Sequence, residues 1–501
     1  MKNILEYLEH SAAMHPDKTA VIDPEKSATY EELFNNARRI GSFLSEQEAP
    51  QSPVAVFMDK SVEALTTFMG IVSAGCFYIS INMDQPPSRI RQILETSNAG
   101  TIITLGGDTN VIEEAGYRGK CFDYHHMIKH EINVNALERI RENFLDIDPL
   151  YCNFTSGSTG IPKGVLVSHR SVIDFMDYFP SLFHITEEDI IGNQAPFDFD
   201  VSVKDIYSTL KMGATMVIIP KKMFSIPTLL LDYLCEQKVT TLIWAVSALC
   251  LVSQLKGFTY KIPEQVNKVL FSGEAMPVKQ LSIWQKYLPN ARYVNLYGPT
   301  EITCNCTYYE INREFQADEK IPIGRPFPNE KVFLLDEDNK QVTTPGVNGE
   351  LCVSGTALAL GYYNNPEQTK RAFIQNPLNQ NYLELIYRTG DLAFYNEDND
   401  LCFAGRKDFQ IKHMGHRIEL EEIEMAINSF SPIERACCVF EEKRNRITAF
   451  YVGSMEGKEL SEQMRKSLPT YMIPTAFRAL TEFPITPNGK IDRKKLLEMC
   501  L

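Results

Sequence analysis

The sequence predicts an α/β protein: a large N-terminal domain of mainly parallel sheets flanked by helices, carrying a β-rich subdomain, then a small mobile α+β domain. Three observations predict it. From residue 19 to about 300, short apolar runs alternate with segments of helical spacing, the pattern of strands joined by crossover helices. Beyond 320 the texture changes to short alternating or apolar runs between turn residues, which reads as β structure. At 501 residues the chain exceeds what one hydrophobic core organises.

Residues 4–14 have the spacing of a short amphipathic helix and 19–22 that of a strand. Thr29, with Glu32 three residues on, forms a capping-box pattern that opens a helix through Leu44. A buried strand at 54–58, a helix near 61–74, a strand at 77–81, a helix at 89–98 and a strand at 101–104 follow. The segment 106–148 is charged and poorly periodic, and reads as a surface crossing. Strands at 151–154 and 165–167 flank a loop, and 171–179 is helical. Asp200 reads as the N-cap of the next helix, which sets 200 and 204 near one face. Buried strands follow at 215–219, 241–244 and 268–271. In the β-rich part, strands fall at 332–335, 349–354 and 392–395, with 387–391 at the end of a segment. The polar turn 405–408 divides the chain into a core of 1–405, a hinge of 406–408 and a mobile domain of 409–501. That last domain reads as a strand at 409–412, a helix at 419–430, strands at 436–440 and 447–452, and a helix at 460–468.

Composition narrows the function. A net charge of −14 argues against nucleic acid or an anionic membrane as partner, so an anionic ligand needs a local cation. Glu6 and Glu9 interrupt any signal-peptide core. The 18 uncharged residues 64–81 contain threonines, serines and glycines, and read as a buried helix and strand instead of a membrane span. The 12 cysteines show no Cys-x2-Cys pairs and read as reduced thiols of a cytoplasmic protein.

The loop between the strands at 151–154 and 165–167 runs Thr155, Ser156, Gly157, Ser158, Thr159, Gly160, Ile161, Pro162, Lys163, Gly164. Its glycines let backbone N–H groups converge, and its hydroxyls and one ammonium complete a nest suited to phosphate oxygens; the plain alternative is a solvated turn. It is not the common P-loop, since Pro162 precedes the lysine and no helix start follows. Gly273, Glu274 and Ala275, and then Asn295 through Glu301, put glycine and a carboxylate just past a strand, where α/β sheets bind ligands. Glu301 suits Mg²⁺, a hard cation that takes carboxylate and phosphate oxygens; the alternative at both places is a turn and a helix cap. Lys490 stands on a Pro-Asn-Gly turn, where a solvated lysine is the plain reading.

Taken in order, the 155–164 loop, Phe199-Asp200-x-Ser202, Tyr297-Gly298-Pro299-Thr300-Glu301, Gly349-Glu350-Leu351, Tyr387-Arg388-Thr389-Gly390-Asp391, Gly405-Arg406-x-Asp408-x-Gln410, Gly415-His416-Arg417-x-Glu419, Leu468-Pro469-x-Tyr471-Met472-Ile473-Pro474 and Asn488-Gly489-Lys490 resemble the adenylate-forming enzymes across essentially the whole chain. Within that family the chain is similar to the amino-acid activators, including D-alanine–carrier protein ligases and nonribosomal-peptide adenylation domains.

The resemblance implies ATP and Mg²⁺ as cofactors. It implies that loop 155–164 holds the β- and γ-phosphates, Thr300 the α-phosphate and Glu301 the metal. Tyr297 would pack on adenine beside Gly273-Glu274-Ala275, near Asn295 and Phe403. Asp391 would take the ribose hydroxyls with Arg406 close by. Lys490 would bridge the carboxylate and α-phosphate during adenylation. The amino-acid pocket is implied to comprise Asp200, Val201, Lys204, Ile243, Leu270, Ser272, Leu296, Gly298, Cys304 and Asn305, with Asp200 on the substrate's ammonium. Rotation about Asp408 would bring Gly415, His416 and Arg417 to a thiol tunnel for the phosphopantetheine of a separate, acidic carrier protein. D-alanine or another small or polar amino acid is the implied substrate. Lys204 and Ser272 depart from the apolar residue and cysteine that D-alanine enzymes usually carry. Lys204 thus reads as a partner of Asp200, as a lysine reaching solvent, or as a contact for a polar or anionic substrate side chain. A stand-alone peptide-synthetase adenylation enzyme for an acidic or other amino acid is one alternative. An acyl-CoA synthetase is another, against which Asp200 stands, because a buried carboxylate facing an acyl chain is costly.

Overall fold

The computed structural model describes residues 1–106, 109–157, 160–316, 319–486 and 491–500. Among these, a nine-stranded sheet runs in the order Arg325–Pro326, Thr307–Glu310, Arg292–Tyr297, Lys268–Ser272, Thr241–Ala245, Ile190–Asn193, Thr215–Ile218, Thr19–Ile22, Ser27–Thr29. Its six central strands are parallel, as crossover helices require. A seven-stranded sheet runs Gly361–Tyr362, Lys163–Ser168, Pro149–Thr155, Phe77–Ile81, Pro53–Phe57, Thr101–Thr104, Lys120–Asp123. One apolar core unites faces of both sheets with the helices Tyr30–Ser45, Val62–Ser73, His169–Leu182 and Ser202–Met212.

Local signals explain much of this. The Thr29–Glu32 capping box forms in both directions, at 2.9 and 3.2 Å. The uncharged stretch 64–81 becomes a helix and a strand buried almost throughout. Among the described residues no helix is long and apolar enough to cross a membrane. The 155–164 loop joins antiparallel neighbours, Pro149–Thr155 and Lys163–Ser168.

Three expectations are corrected, and one strand is added. The segment 106–148 is not a plain crossing: Lys120–Asp123 adds a parallel edge strand, and Val134–Glu142 is a helix. That helix buries none of its residues fully, and its apolar positions 134, 137 and 140 are set among charged ones. Asp200 is not a helix cap. The helix starts at Ser202, whose hydroxyl donates to the Phe199 carbonyl at 2.6 Å and closes the preceding turn. Ile190–Asn193, only four residues long, is a central strand that the pattern did not reveal. Residues 387–391 lie inside the strand Leu385–Tyr395. Register slips there against Gly349–Gly355, so 389–391 bulge, with Gly390 at φ +73°. A bulge of this kind re-aims a side chain, here Asp391.

The C-terminal part has its own core. It comprises a hairpin of Gln410–His413 and His416–Glu419, the helix Leu420–Asn428, and a three-stranded sheet of Ile433–Glu441, Arg446–Gly453 and Ala476–Ala479. The hairpin points into the N-terminal domain.

Candidate active site

Parallel strands deliver side chains to their C-terminal edge, and the cleft lies there. It is lined by Thr155, Ser156, Asp200, Val201, Ser272, Gly273, Gly298, Thr300, Cys304, Asn305, Asp391 and Arg406 from the N-terminal side. Gln410, Lys412, Gly415, His416, Arg417 and Tyr471 close it from the C-terminal side. Gly298 is needed where it stands: a Cβ would lie 2.5 Å from Asn305 Cα and 2.7 Å from the Cys304 carbonyl. Thr303 and Cys304 both adopt left-handed backbone, at φ +54° and +86°. Such conformations are costly for residues with a Cβ, most of all a β-branched one. A Thr303 hydroxyl bond to the Ala357 carbonyl, 2.7 Å, helps hold the turn that presents Cys304 and Asn305.

Glu301 is fully buried. Its Oε1 accepts from the Tyr362 hydroxyl at 2.7 Å and its Oε2 from Arg417 at 2.6 Å. Burial alone raises this carboxyl, but Arg417, Lys163 and the tyrosine outweigh it and hold it at about 2. The carboxylate thus already accepts a cation. Among the described residues no group of three or more His, Cys, Asp or Glu side chains forms a metal cage. A Mg²⁺ here fits as a guest of Glu301 and phosphate oxygens, the usual arrangement for that ion.

The neighbouring phosphate-loop groups are likewise engaged by the C-terminal part. Ser156 donates to the Arg417 carbonyl at 2.7 Å. The Gly157 N–H donates to Glu422 at 3.2 Å, and Lys163 lies 3.7 Å from Glu419. Glu422 also pairs with buried Arg89. Carboxylates of 419–422 therefore sit on the N–H and ammonium that the sequence assigns to phosphate. Ser158, Thr159 and Lys490 lie outside the described residues.

At the other end, Asp391 accepts from the Tyr297 hydroxyl and from Arg406. The Phe403 ring is 6.5 Å from that of Tyr297, and Asn295 donates to the Pro322 carbonyl at 2.8 Å. Glu274 accepts from the Gly415 N–H at 2.6 Å; Ala275 beside it is exposed. Lys412 stands 5.4 Å over the Tyr297 ring, its ammonium disfavoured by burial. His416 stacks on Tyr471 at 3.5 Å and meets Phe199 edge-on at 4.6 Å. Burial keeps its imidazole neutral, with a value near 3. Asp408 accepts from Arg406 Nε at 2.6 Å.

In the predicted substrate pocket, Asp200, Val201, Ser272, Gly298, Cys304 and Asn305 face the cleft. Ile243, Leu270 and Leu296 sit on adjacent strands within the core. Burial raises the Asp200 carboxyl, opposed by a Thr300 hydroxyl bond and by Lys204. Lys204 is fully buried, so it does not reach solvent, and its hydrogen bonds go to Asn305 and Ser272, not to Asp200. Sequence reasoning missed Arg89, Tyr362, Lys412 and Glu422. Their roles depend on contacts far apart in sequence, from 61 residues for Tyr362–Glu301 to 333 for Arg89–Glu422, and only the position of Lys412 beside the 405–410 motif was a hint.

Fold and cleft together define an enzyme of the adenylate-forming kind. The chain belongs to the AMP-binding enzymes: that family matches residues 8–363, and the AMP-binding enzyme C-terminal domain matches 422–490. It is similar to Zwittermicin A synthase ZmaJ of Bacillus cereus, with 32% identity over 98% of this chain and 94% of that protein. It is also similar to Tyrocidine synthase 1 of Brevibacillus parabrevis, with 31% identity over 99% of this chain, which spans 45% of that protein. The fold matches NpsA-ThdA, an artificially fused Adenylation-PCP di-domain from Klebsiella oxytoca, at a TM-score of 0.82 and 24% identity, over 95% of this chain and 93% of that one.

Proposed function

We propose that the protein activates an amino acid with ATP and transfers it to the phosphopantetheine thiol of a carrier protein. The observation that carries this reading is the Asp200 carboxylate in the cleft, bonded to Thr300 and within the field of Glu301. A buried carboxylate is unfavourable without a cation. The α-ammonium of an amino acid supplies one, and its carboxylate then falls toward Thr300 and the phosphate loop.

In the first step the amino-acid carboxylate oxygen attacks the α-phosphorus of ATP, forming an aminoacyl-adenylate and releasing pyrophosphate. The chain's part is positioning and charge neutralisation. Ser156, Gly157 and Lys163, with Ser158, Thr159 and Gly160, hold the β- and γ-phosphates. Thr300 orients the α-phosphate, Tyr297 and Asp391 the nucleoside, and Lys490 the oxygen undergoing bond formation. Glu301 would ligate Mg²⁺, which when bound would neutralise phosphate charge. In the second step the thiol sulfur attacks the adenylate carbonyl, AMP leaves and a thioester forms. The contacts of Gly415, His416 and Arg417 described above suit this second step, with Asp408 as the pivot. The carrier is proposed to be a separate, acidic protein. D-alanine and other small or polar amino acids are the candidate substrates.

The test is ATP–pyrophosphate exchange with a panel of D- and L-amino acids and fatty acids. Exchange dependent on an amino acid and abolished by Asp200→Ala supports the reading. Exchange with fatty acids alone, followed by transfer to coenzyme A, replaces it with an acyl-CoA synthetase.

A further inference from the structure

Lys204 does not line the cleft; it lies one layer behind. Its ammonium is 2.7 Å from Asn305 Oδ1 and 3.3 Å from Ser272 Oγ. An ammonium has three hydrogens and no acceptor, so both partners must accept. An asparagine amide is ambiguous in outline, because its oxygen and nitrogen are nearly alike. A lysine removes the ambiguity: the oxygen faces inward and the nitrogen faces away. The Cys304 thiol, 3.5 Å from the same oxygen, adds a second donor to it. What remains for the cleft is the Asn305 amide hydrogens and the Ser272 hydroxyl hydrogen. No partner for Asn305 Nδ2 occurs among the described residues.

Asp200 and Asp205 both lie within the field of Lys204, which opposes the rise that burial imposes on each carboxyl, and neither forms a direct ion pair with the ammonium. Asp205 spends one oxygen on Asn193, at 2.7 Å. Neither carboxylate takes the lysine hydrogens away from Ser272 and Asn305.

We infer that Lys204 is a positioning residue for specificity: from behind, it turns Ser272 and Asn305 into a wall of hydrogen-bond donors. The enzyme therefore selects amino acids whose side chain carries an acceptor oxygen — hydroxyl, amide carbonyl or carboxylate. An aliphatic side chain that fills the pocket leaves these donors unpaired, the arrangement that discriminates most strongly between near-isosteric substrates. This inference rests on the amino-acid activation reading above.

The experiment compares kcat/KM in ATP–pyrophosphate exchange for near-isosteric pairs: threonine against valine, serine against 2-aminobutyrate, and aspartate and asparagine against leucine, each as both enantiomers. The acceptor-bearing member is expected to win by about two orders of magnitude or more. In Lys204→Met, Asn305 is free to turn its oxygen outward. The aspartate-over-leucine ratio is then expected to fall at least about tenfold, through a higher KM for aspartate, whose carboxylate cannot donate to the exposed oxygen. Asn305→Asp, which pairs with Lys204 and turns only oxygens to the cleft, should likewise lower the aspartate-over-leucine ratio, since aspartate alone of these acceptor-bearing side chains has no hydrogen to donate, and it covers the case in which Lys204→Met does not fold. Valine or 2-aminobutyrate equalling its partner in the wild type overturns the inference while leaving amino-acid activation intact. Exchange with no amino acid at all overturns both.

Discussion

Arg417 donates to Glu301 at 2.6 Å, on the oxygen not already taken by Tyr362. A guanidinium thus stands on the carboxylate proposed for the metal, while Glu419 and Glu422 stand on the groups proposed for phosphate. The C-terminal part thus occupies the groups that the proposed function gives to Mg²⁺ and pyrophosphate, and the expected consequence is competition for one surface. Removing one partner of a buried ion pair costs about 3–5 kcal/mol. Arg417→Ala should therefore slow thioester formation from pre-made adenylate by roughly a hundredfold or more, and spare pyrophosphate exchange. Mg²⁺ with methylenediphosphonate, which cannot reverse the reaction, should separate the domains, read as a change in energy transfer between dyes on the two parts. Equal losses in both half-reactions, with no change in energy transfer, would refute the competition.

The same contact gives a pH dependence. Glu301 is held at about 2 against an ordinary 4.5, so the folded protein favours its ionised form. Its contribution is then fully present above pH 4.5 and is lost as pH falls toward 2. Urea midpoints of wild type and Glu301→Gln should differ by a constant amount from pH 8 to 5 and converge below 4.5. A gap unchanged at pH 3 would contradict the assignment.

Lys490 is assigned to adenylation alone. Lys490→Ala should lose about 3 kcal/mol of transition-state stabilisation in exchange, the scale of one oriented donor. Thioester formation from pre-made adenylate should survive. Comparable loss in both assays would place the lysine elsewhere.

Asp408 ties Arg406 to the first residues of the hairpin, accepting also from the Gln410 N–H at 3.2 Å. Asp408→Pro fixes φ near −65°. One half-reaction should fall far more than the other; single-turnover rates both near wild type would show that no rotation occurs at this point.

Much of this was legible in the chain because its signals are local. The Thr29 capping box, the uncharged stretch 64–81 and the glycine-rich loop each state their structure within a few residues. Lys204 was legible as unusual, but its actual partners, Ser272 and Asn305, lie 68 and 101 residues away, beyond the reach of local pattern. The left-handed turn at Thr303 and Cys304 gave no sign either, since neither residue type favours it. Ile190–Asn193 was hidden by its brevity, and Val134–Glu142 by its lack of a buried face.

The strand order also bears on how the molecule is made. Thr19–Ile22 finds its parallel neighbour only in Thr215–Ile218, and Ile190–Asn193 is flanked by Thr215–Ile218 and Thr241–Ala245. During synthesis the first strand emerges long before its partner exists, so an apolar edge waits uncovered on the nascent chain. Non-local parallel pairing is slow to form and open to misassembly. Fragments ending before residue 215 leave the first strand without its parallel neighbour and should be clients of chaperones, and the sheet is completed only after Arg325–Pro326 has emerged.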